Sequence, residues 1–524
     1  MQASMPLNAY YAIFAACVAV ILIYRRRQRS LNLILNMRGP SNPSWLFGNM
    51  RQLMLSDNYG DWEFEWQKEY GPVYRIKGCF GQNRLVISDP LAVKHIINTP
   101  TFTHPAGFLR NAAMAFGKSV ASVQGEDHRR IRGAMSIGFS AKVVRSFVPI
   151  FIDAARKTVR EWELLCTPGT PSTLNVCQLL DRATLDIISE AALGIHVNTV
   201  QDPDHPLARS HTNILAAAFK RSSLTILSDY LFGFIPGFIF NQTIHLPIAA
   251  MRAVSTFRRV TEQYIKQKTE EFQSKGGDGD NDLLNVIRNG RSGTSKMTIA
   301  ELTDQIRILL VAGQDPTSVV LAWSLYWLAA NPEFQTKLRQ EIKTTTENAG
   351  GDDLDYDGMP LLNALIKETL RFHPPVPITE RIANEDSVLP LADEMVTSDG
   401  RHVSQLPVKK GQSIMVAIAS YHRLEALWGT DAHHFDPSRW LEGNPCKGNA
   451  LGPYGHLLSF LGGPRVCLGW RFGILEAQAI LSELVGSFAF TLPENSCVRS
   501  RLSGTEGVPF DAGVKGLSLC LARI

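Results

Sequence analysis

One cysteine set among glycines constrains this chain more than any other feature. In Phe460-Leu-Gly-Gly-Pro-Arg-Val-Cys-Leu-Gly469, Cys467 lies between Gly463 and Gly469, with Arg465 two residues upstream and Phe460 opening the stretch. Glycine lets a backbone turn tightly and approach a large flat ligand closely. Beyond Gly469 the apolar residues Phe472, Leu475, Ala479, Ile480 and Leu484 recur at helical spacing, so the thiol sits just before a helix N-terminus. That end of a helix carries partial positive charge and free N–H groups, which favour a thiolate over a thiol. Arg465 adds a full positive charge. A cysteine built to stay ionised is a nucleophile, a redox thiol or a metal ligand. The bland alternative is a buried structural cysteine.

The pattern Phe-x-x-Gly-x-Arg-x-Cys-x-Gly resembles the haem-binding loop of the cytochrome P-450 superfamily, the haem-thiolate monooxygenases. The fixed positions fall on Phe460, Gly463, Arg465, Cys467 and Gly469. The resemblance implies that Cys467 is the axial iron ligand, its thiolate pushing electron density towards bound dioxygen. It also implies a mainly α fold with a small β lobe, with haem between a long central helix and the cysteine loop.

Composition is that of an ordinary globular protein with some membrane contact: 45% hydrophobic and 19% charged residues. A net charge of +4 is too mild to argue for nucleic acid, and no basic, aromatic-interleaved patch supports it. The eight cysteines are scattered without a CxxC pair, which argues against a zinc ribbon or a disulfide framework and for free thiols in a reducing compartment. Residues 1–24 read as a transmembrane signal anchor, Ala9 to Tyr24 being almost wholly apolar and followed at once by Arg25-Arg26-Arg27-Gln28-Arg29. A cleaved signal peptide carries its charge ahead of the apolar run, not after it. The positive-inside rule then places the N-terminus in the lumen and the body in the cytosol, as a single-pass protein of the endoplasmic reticulum. Residues 25–49 form a basic, proline-containing linker, and 50–524 a catalytic domain.

Within that domain a helical pattern runs from Trp62 to Gly71, and strands are expected at Val73 to Lys77 and Arg84 to Ser88. In Gly125-Glu-Asp-His128-Arg-Arg-Ile-Arg132, His128 and Arg132 stand one helical turn apart on one face. The resemblance assigns both to a haem propionate. Here the family usually has Trp where this chain has His128, a swap that resembles filamentous-fungal members. From Leu231 to Pro247 the chain is unusually apolar but carries proline and glycine, which suits a monotopic dip into the bilayer better than a spanning helix; burial in the core is the alternative.

Thr298-Ile-Ala-Glu301 is a capping box, and apolar periodicity then continues to Asn331-Pro332. Mid-helix, Ala312-Gly-Gln-Asp315-Pro316-Thr317-Ser318 resembles the family's oxygen-activation signature. By that resemblance Gly313 lets the oxygen side of the iron approach the backbone and Asp315 relays protons. The signature's first threonine falls on Pro316, which has neither hydroxyl nor N–H. Thr317, Ser318 or ordered water takes over the relay, the substrate supplies a hydroxyl, or the reaction needs no such step.

Glu368-Thr-Leu-Arg371 and Arg439, in Phe435-Asp-Pro437-Ser-Arg439-Trp440, match the family's buried structural triad. Arg381, in Thr379-Glu-Arg381, is by resemblance a second propionate ligand beside Arg465. Val508 to Phe510 and Val514 to Leu521 read as a closing hairpin. The chain carries no GxGxxG opening a helix after a strand, so electrons must come from elsewhere. The resemblance implies an NADPH-dependent membrane reductase, with a small haem protein as a second donor, and the apolar 231–247 stretch suggests a lipophilic substrate such as a terpenoid, sterol, fatty acid or other secondary metabolite. The rival reading, motivated by Pro316, is a haem-thiolate isomerase or dehydratase that needs no reductase. A membrane haem sensor is the non-enzymatic class.

Overall fold

Two strands buried on both faces, Asn83–Ile87 and Ser413–Ala417, run parallel at the centre of a five-stranded sheet. The computed structural model describes residues 32–166, 171–218, 222–235, 248–274, 282–289, 297–349 and 354–524, with isolated positions between 236 and 247. The apolar segment at 1–24 lies outside the described residues, as do most positions of the 231–247 stretch beyond 235. Val73–Lys77 pairs antiparallel with Asn83–Ile87 across the Gly78–Gln82 turn, one residue earlier than the sequence pattern suggests. Ile378–Ala383 pairs antiparallel with Ser413–Ala417 and puts Arg381 opposite Ile414. Helix Asp61–Tyr70 ends where Gly71 takes φ of +87°, a turn that glycine adopts without a steric penalty.

The rest is mostly helical. The long helix begins at the capping box: the Thr298 hydroxyl accepts from the Glu301 N–H at 3.2 Å, and the Glu301 carboxylate accepts from the Thr298 N–H at 2.9 Å. It runs as two segments, Ile299–Ala312 and Asp315–Ala330, separated at Gly313–Gln314. Nearly every residue from Thr317 to Leu325 is buried, so the second segment has no solvent face. It packs against helices Val176–Leu193, Pro360–Phe372 and Trp470–Ser487. The long helix is the one described segment apolar and long enough to cross a membrane, and 78% of its most apolar window is buried inside the protein, so it is a core helix.

The break answers the problem posed by Pro316. Proline inside a continuous helix removes a hydrogen bond and clashes with the preceding turn, at a cost of about 3 kcal/mol. Here it occupies the second position of a new segment, where its missing N–H has no intrahelical partner to lose. The C-terminal reading needs a correction. Glu506–Asp511 pairs with Arg499–Ser503 on one side and the short Val514–Lys515 on the other. Ser518–Arg523 leaves for a different sheet, between Ser172–Asn175 and Phe488–Thr491. The run from Val514 to Leu521 is therefore not one strand. It divides at Gly516, where a Cβ would lie 2.6 Å from the Asn175 side chain.

Candidate active site

The cysteine loop is two short turns, Leu458–Phe460 and Gly463–Arg465, feeding helix Trp470–Ser487. The Cys467 N–H donates to the Phe460 carbonyl at 2.8 Å and closes the loop. Gly463 has φ of +64°, and a Cβ there would meet the Ile97 carbonyl oxygen at 2.4 Å, so glycine is required. Gly469 is different: a Cβ would reach only Phe139 at 3.6 Å, an ordinary contact.

Cys467 is exposed, yet it lies deep enough that burial pushes its thiol above the ordinary value, against a backbone hydrogen bond at Gly469 and the charge of Arg132. Both hold if the sulfur faces an internal hollow. Of the nearby cations, Arg132 acts on the sulfur in the direction that favours its ionised form. On the long helix, Ala312 is exposed while Pro316, one turn on, and Gly313 are half-exposed, in a segment otherwise buried. Gly313 does a further job. A Cβ there would fall 2.6 Å from Ile188, so glycine lets the long helix close on Val176–Leu193.

Arg132, Arg381, Arg465 and His128 lie close enough to act on one another electrostatically. His128 is buried, and burial with the charges of Arg465 and Arg132 lowers its imidazole to about 4. Arg381 is buried and drops to about 10, through desolvation and then Arg465. Arg465 donates to the Val120 and Val123 carbonyls at 3.1 and 2.8 Å. Arg381 donates to the Thr379 hydroxyl and Glu380 carbonyl at 2.9 and 2.8 Å. Among the described residues no carboxylate pairs with Arg132, Arg381 or Arg465. Sequence reasoning missed His104, whose Nδ1 lies 3.3 Å from Arg381 and whose ring stacks on Phe108. Burial and the Arg381 and Arg465 charges lower it to about 2. Cations that repel one another in a half-dry site fit an anionic, flat guest. A haem meets each requirement: a metal for the thiol and two carboxylates for the arginines.

The family model for cytochrome P450 matches residues 37–510. The chain belongs to the cytochrome P450 family. It is therefore a haem-thiolate oxidoreductase, and its similar relatives are monooxygenases. Cytochrome P450 monooxygenase claP of Ampulloclitocybe clavipes is 31% identical over 471 residues, covering 87% of this chain and 86% of its own. Cytochrome P450 monooxygenase 205 of Postia placenta is 31% identical over 505 residues, covering 92% and 89%.

The P450 triad is assembled in full. Glu368 and Arg371 are wholly buried and joined by two bonds of 2.8 Å. Arg439 reaches Glu368 at 3.0 Å, and the Trp440 indole and Asp436 N–H donate to the same carboxylate at 2.9 and 2.8 Å. Arg371 also donates to the His422, Ala432 and His434 carbonyls, which ties down the stretch before the cysteine loop.

The proton-relay residues are placed less simply. Asp315 is buried, 3.3 Å from Lys515. The Ser318 hydroxyl donates to the Asp181 carboxylate at 2.5 Å, and its oxygen lies 3.0 Å from the Asp315 carbonyl. The Thr317 hydroxyl faces helix Trp470–Ser487, towards Gly473 and the buried carboxyl of Glu476. A separate cavity of about 910 Å³ lies between helix Asp61–Tyr70 and the aromatic residues Trp323, Tyr326 and Trp327; Cys467 does not line it.

Proposed function

We propose that Cys467 ligates the haem iron, and that the enzyme inserts one atom of dioxygen into a lipophilic small molecule with electrons drawn from NADPH through a membrane reductase. The carrying observation is the enclosed yet exposed Cys467 sulfur, set among arginines that have no carboxylate partner. When bound, haem supplies the reductive activation of dioxygen, the second oxygen atom leaving as water.

The chain's own residues do the rest. Arg132, Arg381 and Arg465, with His128 and His104, receive the propionates by charge-assisted hydrogen bonds. Phe460, Gly463 and Gly469 shape the loop that presents the sulfur. The triad of Glu368, Arg371 and Arg439 keeps that loop in register. Asp315 holds the acid position beside the break in the long helix, next to the open stretch of that helix at Ala312, Gly313 and Pro316.

A terpenoid, sterol, fatty acid or related secondary metabolite suits this setting, reached from a membrane of the endoplasmic reticulum with the catalytic domain in the cytosol. Supporting a membrane contact, Trp45, Leu224, Leu231 and Phe234 are exposed. Rings of Trp45, Phe80, Tyr230 and Phe234 run in contact from the linker to the 231–235 stretch. Such a patch marks an interaction surface.

Turnover tests the reading. Purified enzyme, reconstituted with an NADPH-dependent P450 reductase in vesicles and offered extracted lipophilic metabolites, should form a product only with both NADPH and dioxygen present. A product formed without either would favour the isomerase class instead.

A further inference from the structure

Asp315, beside the helix break, belongs to a charge cluster whose other members the haem site does not touch. Lys515 Nζ stands 3.3 Å from Asp315 and 3.6 Å from Asp181. From the tip of the Arg499–Ser503/Glu506–Asp511 hairpin, Glu506 reaches into hydrogen-bonding range of Asp315. Helix Pro206–Ala218 adds His211 on the Asp315 side, and helix Val176–Leu193 adds Cys177 next to Asp181. Two carboxylates thus contact one ammonium, and a third, that of Glu506, acts on it through space. Lys515 keeps its proton, because the three carboxyls hold it well above its usual range despite burial. His211 is lowered to about 4, chiefly by burial, and Cys177 is raised, so neither adds a charge at neutral pH.

Two ionised carboxylates in contact, with little water, are strongly disfavoured, and one proton stays on the pair. Which oxygen carries it follows from the surroundings. Lys515 touches Asp315 and not Glu506, so Asp315 is held ionised against its burial. Glu506 has burial and the Asp315 charge pushing its carboxyl well up. Glu506 is nonetheless half-exposed, so water can reach it. The hydroxyls at positions 317 and 318 are turned to Glu476 and Asp181, and position 316 has none.

We propose that Asp315 and Glu506 share one proton, counter-charged by Lys515, and that this acid pair, with Glu506 as the donor, feeds protons to the reaction where Pro316 offers no hydroxyl. The inference rests on the monooxygenase reading above. In the step, the Glu506 O–H bond breaks and an O–H bond forms on a water molecule, which passes a proton on towards the site of reaction. No electrons are exchanged. The dianionic pair left behind is held by Lys515 until water returns a proton. Lys515 and Asp181 are positioning residues.

Infrared spectroscopy reads the shared proton directly. At neutral pH the wild-type enzyme should show protonated carboxyl bands that shift in D2O. Glu506→Gln should remove one of them, and Glu476→Gln a different one. Lys515→Met should add one, because Asp315 loses its counter-charge. In turnover, Glu506→Gln should cut product formed per NADPH by at least about tenfold, the scale of a lost general acid, while the thiolate-type carbonyl spectrum persists. An unchanged infrared spectrum in Glu506→Gln overturns the pair whether or not haem is bound. Unchanged coupling overturns its role in proton delivery. A wild-type enzyme without the thiolate spectrum overturns the monooxygenase reading, and the infrared result still decides the pair.

Discussion

Single residues fix the electrostatics of this protein through what surrounds them. His422 is wholly buried; its Nε2 accepts from the Leu458 N–H at 2.8 Å and its Nδ1 donates to the Arg371 carbonyl at 3.1 Å. That tautomer links the triad to the cysteine loop and cannot be protonated without losing the Leu458 bond. Burial, then the Arg371 charge, lowers the imidazole to about 3. The unfolded chain takes a proton at roughly 6.5, so between the two values it binds more protons than the folded one. Stability from this site is complete above the unfolded value and is lost as pH falls towards the folded one, at about 1.4 kcal/mol per unit. Urea unfolding from pH 7 to 5 should therefore show a slope shallower by that amount in His422→Gln. Equal slopes would mean that His422 does not stay neutral. Glu368 offers a second test. Glu368→Ala strands Arg371 in the core, and loss of one partner of a buried pair costs about 3–5 kcal/mol. Calorimetry should record that drop; a loss below about 1 kcal/mol would put the triad on the surface class of ion pairs.

At the scale of elements, the long helix is governed by its break. Gly313 is where it closes on Val176–Leu193, and Gly313→Ala would press a methyl into Ile188. Overpacking of this kind costs about 1–3 kcal/mol. Pairing the change with Ile188→Val should recover part of the loss in a melting experiment, and no recovery would place the strain elsewhere. Pro316 sits just past the break, so Pro316→Thr should shift stability by less than about 1 kcal/mol, against about 3 for proline in a helix interior. With the acid pair already in place, that substitution should also leave coupling of NADPH to product unchanged. A clear gain in coupling would mean that the missing hydroxyl limits the native enzyme.

Across the whole molecule, what could be read in advance is what local pattern encodes. The capping box at Thr298 and Glu301, the Glu368–Arg371 spacing, the early strands and the cysteine loop are short-range signals, and the structure has them within a residue or so. The split at Gly516 was not legible, because it depends on Asn175, hundreds of residues away in sequence. Lys515, Glu506 and His104 gave no motif either. Each earns its place through a partner on another element: Asp315 for Lys515 and Glu506, Arg381 for His104.

Among the described residues Arg132, Arg381 and Arg465 have no carboxylate partner and Cys467 is exposed, and the central claim is that Cys467 meets the haem iron. The most direct measurement is the absorption spectrum of the reduced enzyme under carbon monoxide. Wild type should give the long-wavelength Soret band of a thiolate-ligated haem, and Cys467→Ala should lose it while keeping its fold by circular dichroism. A histidine-type band in the wild type, or a thiolate band that survives Cys467→Ala, would contradict it.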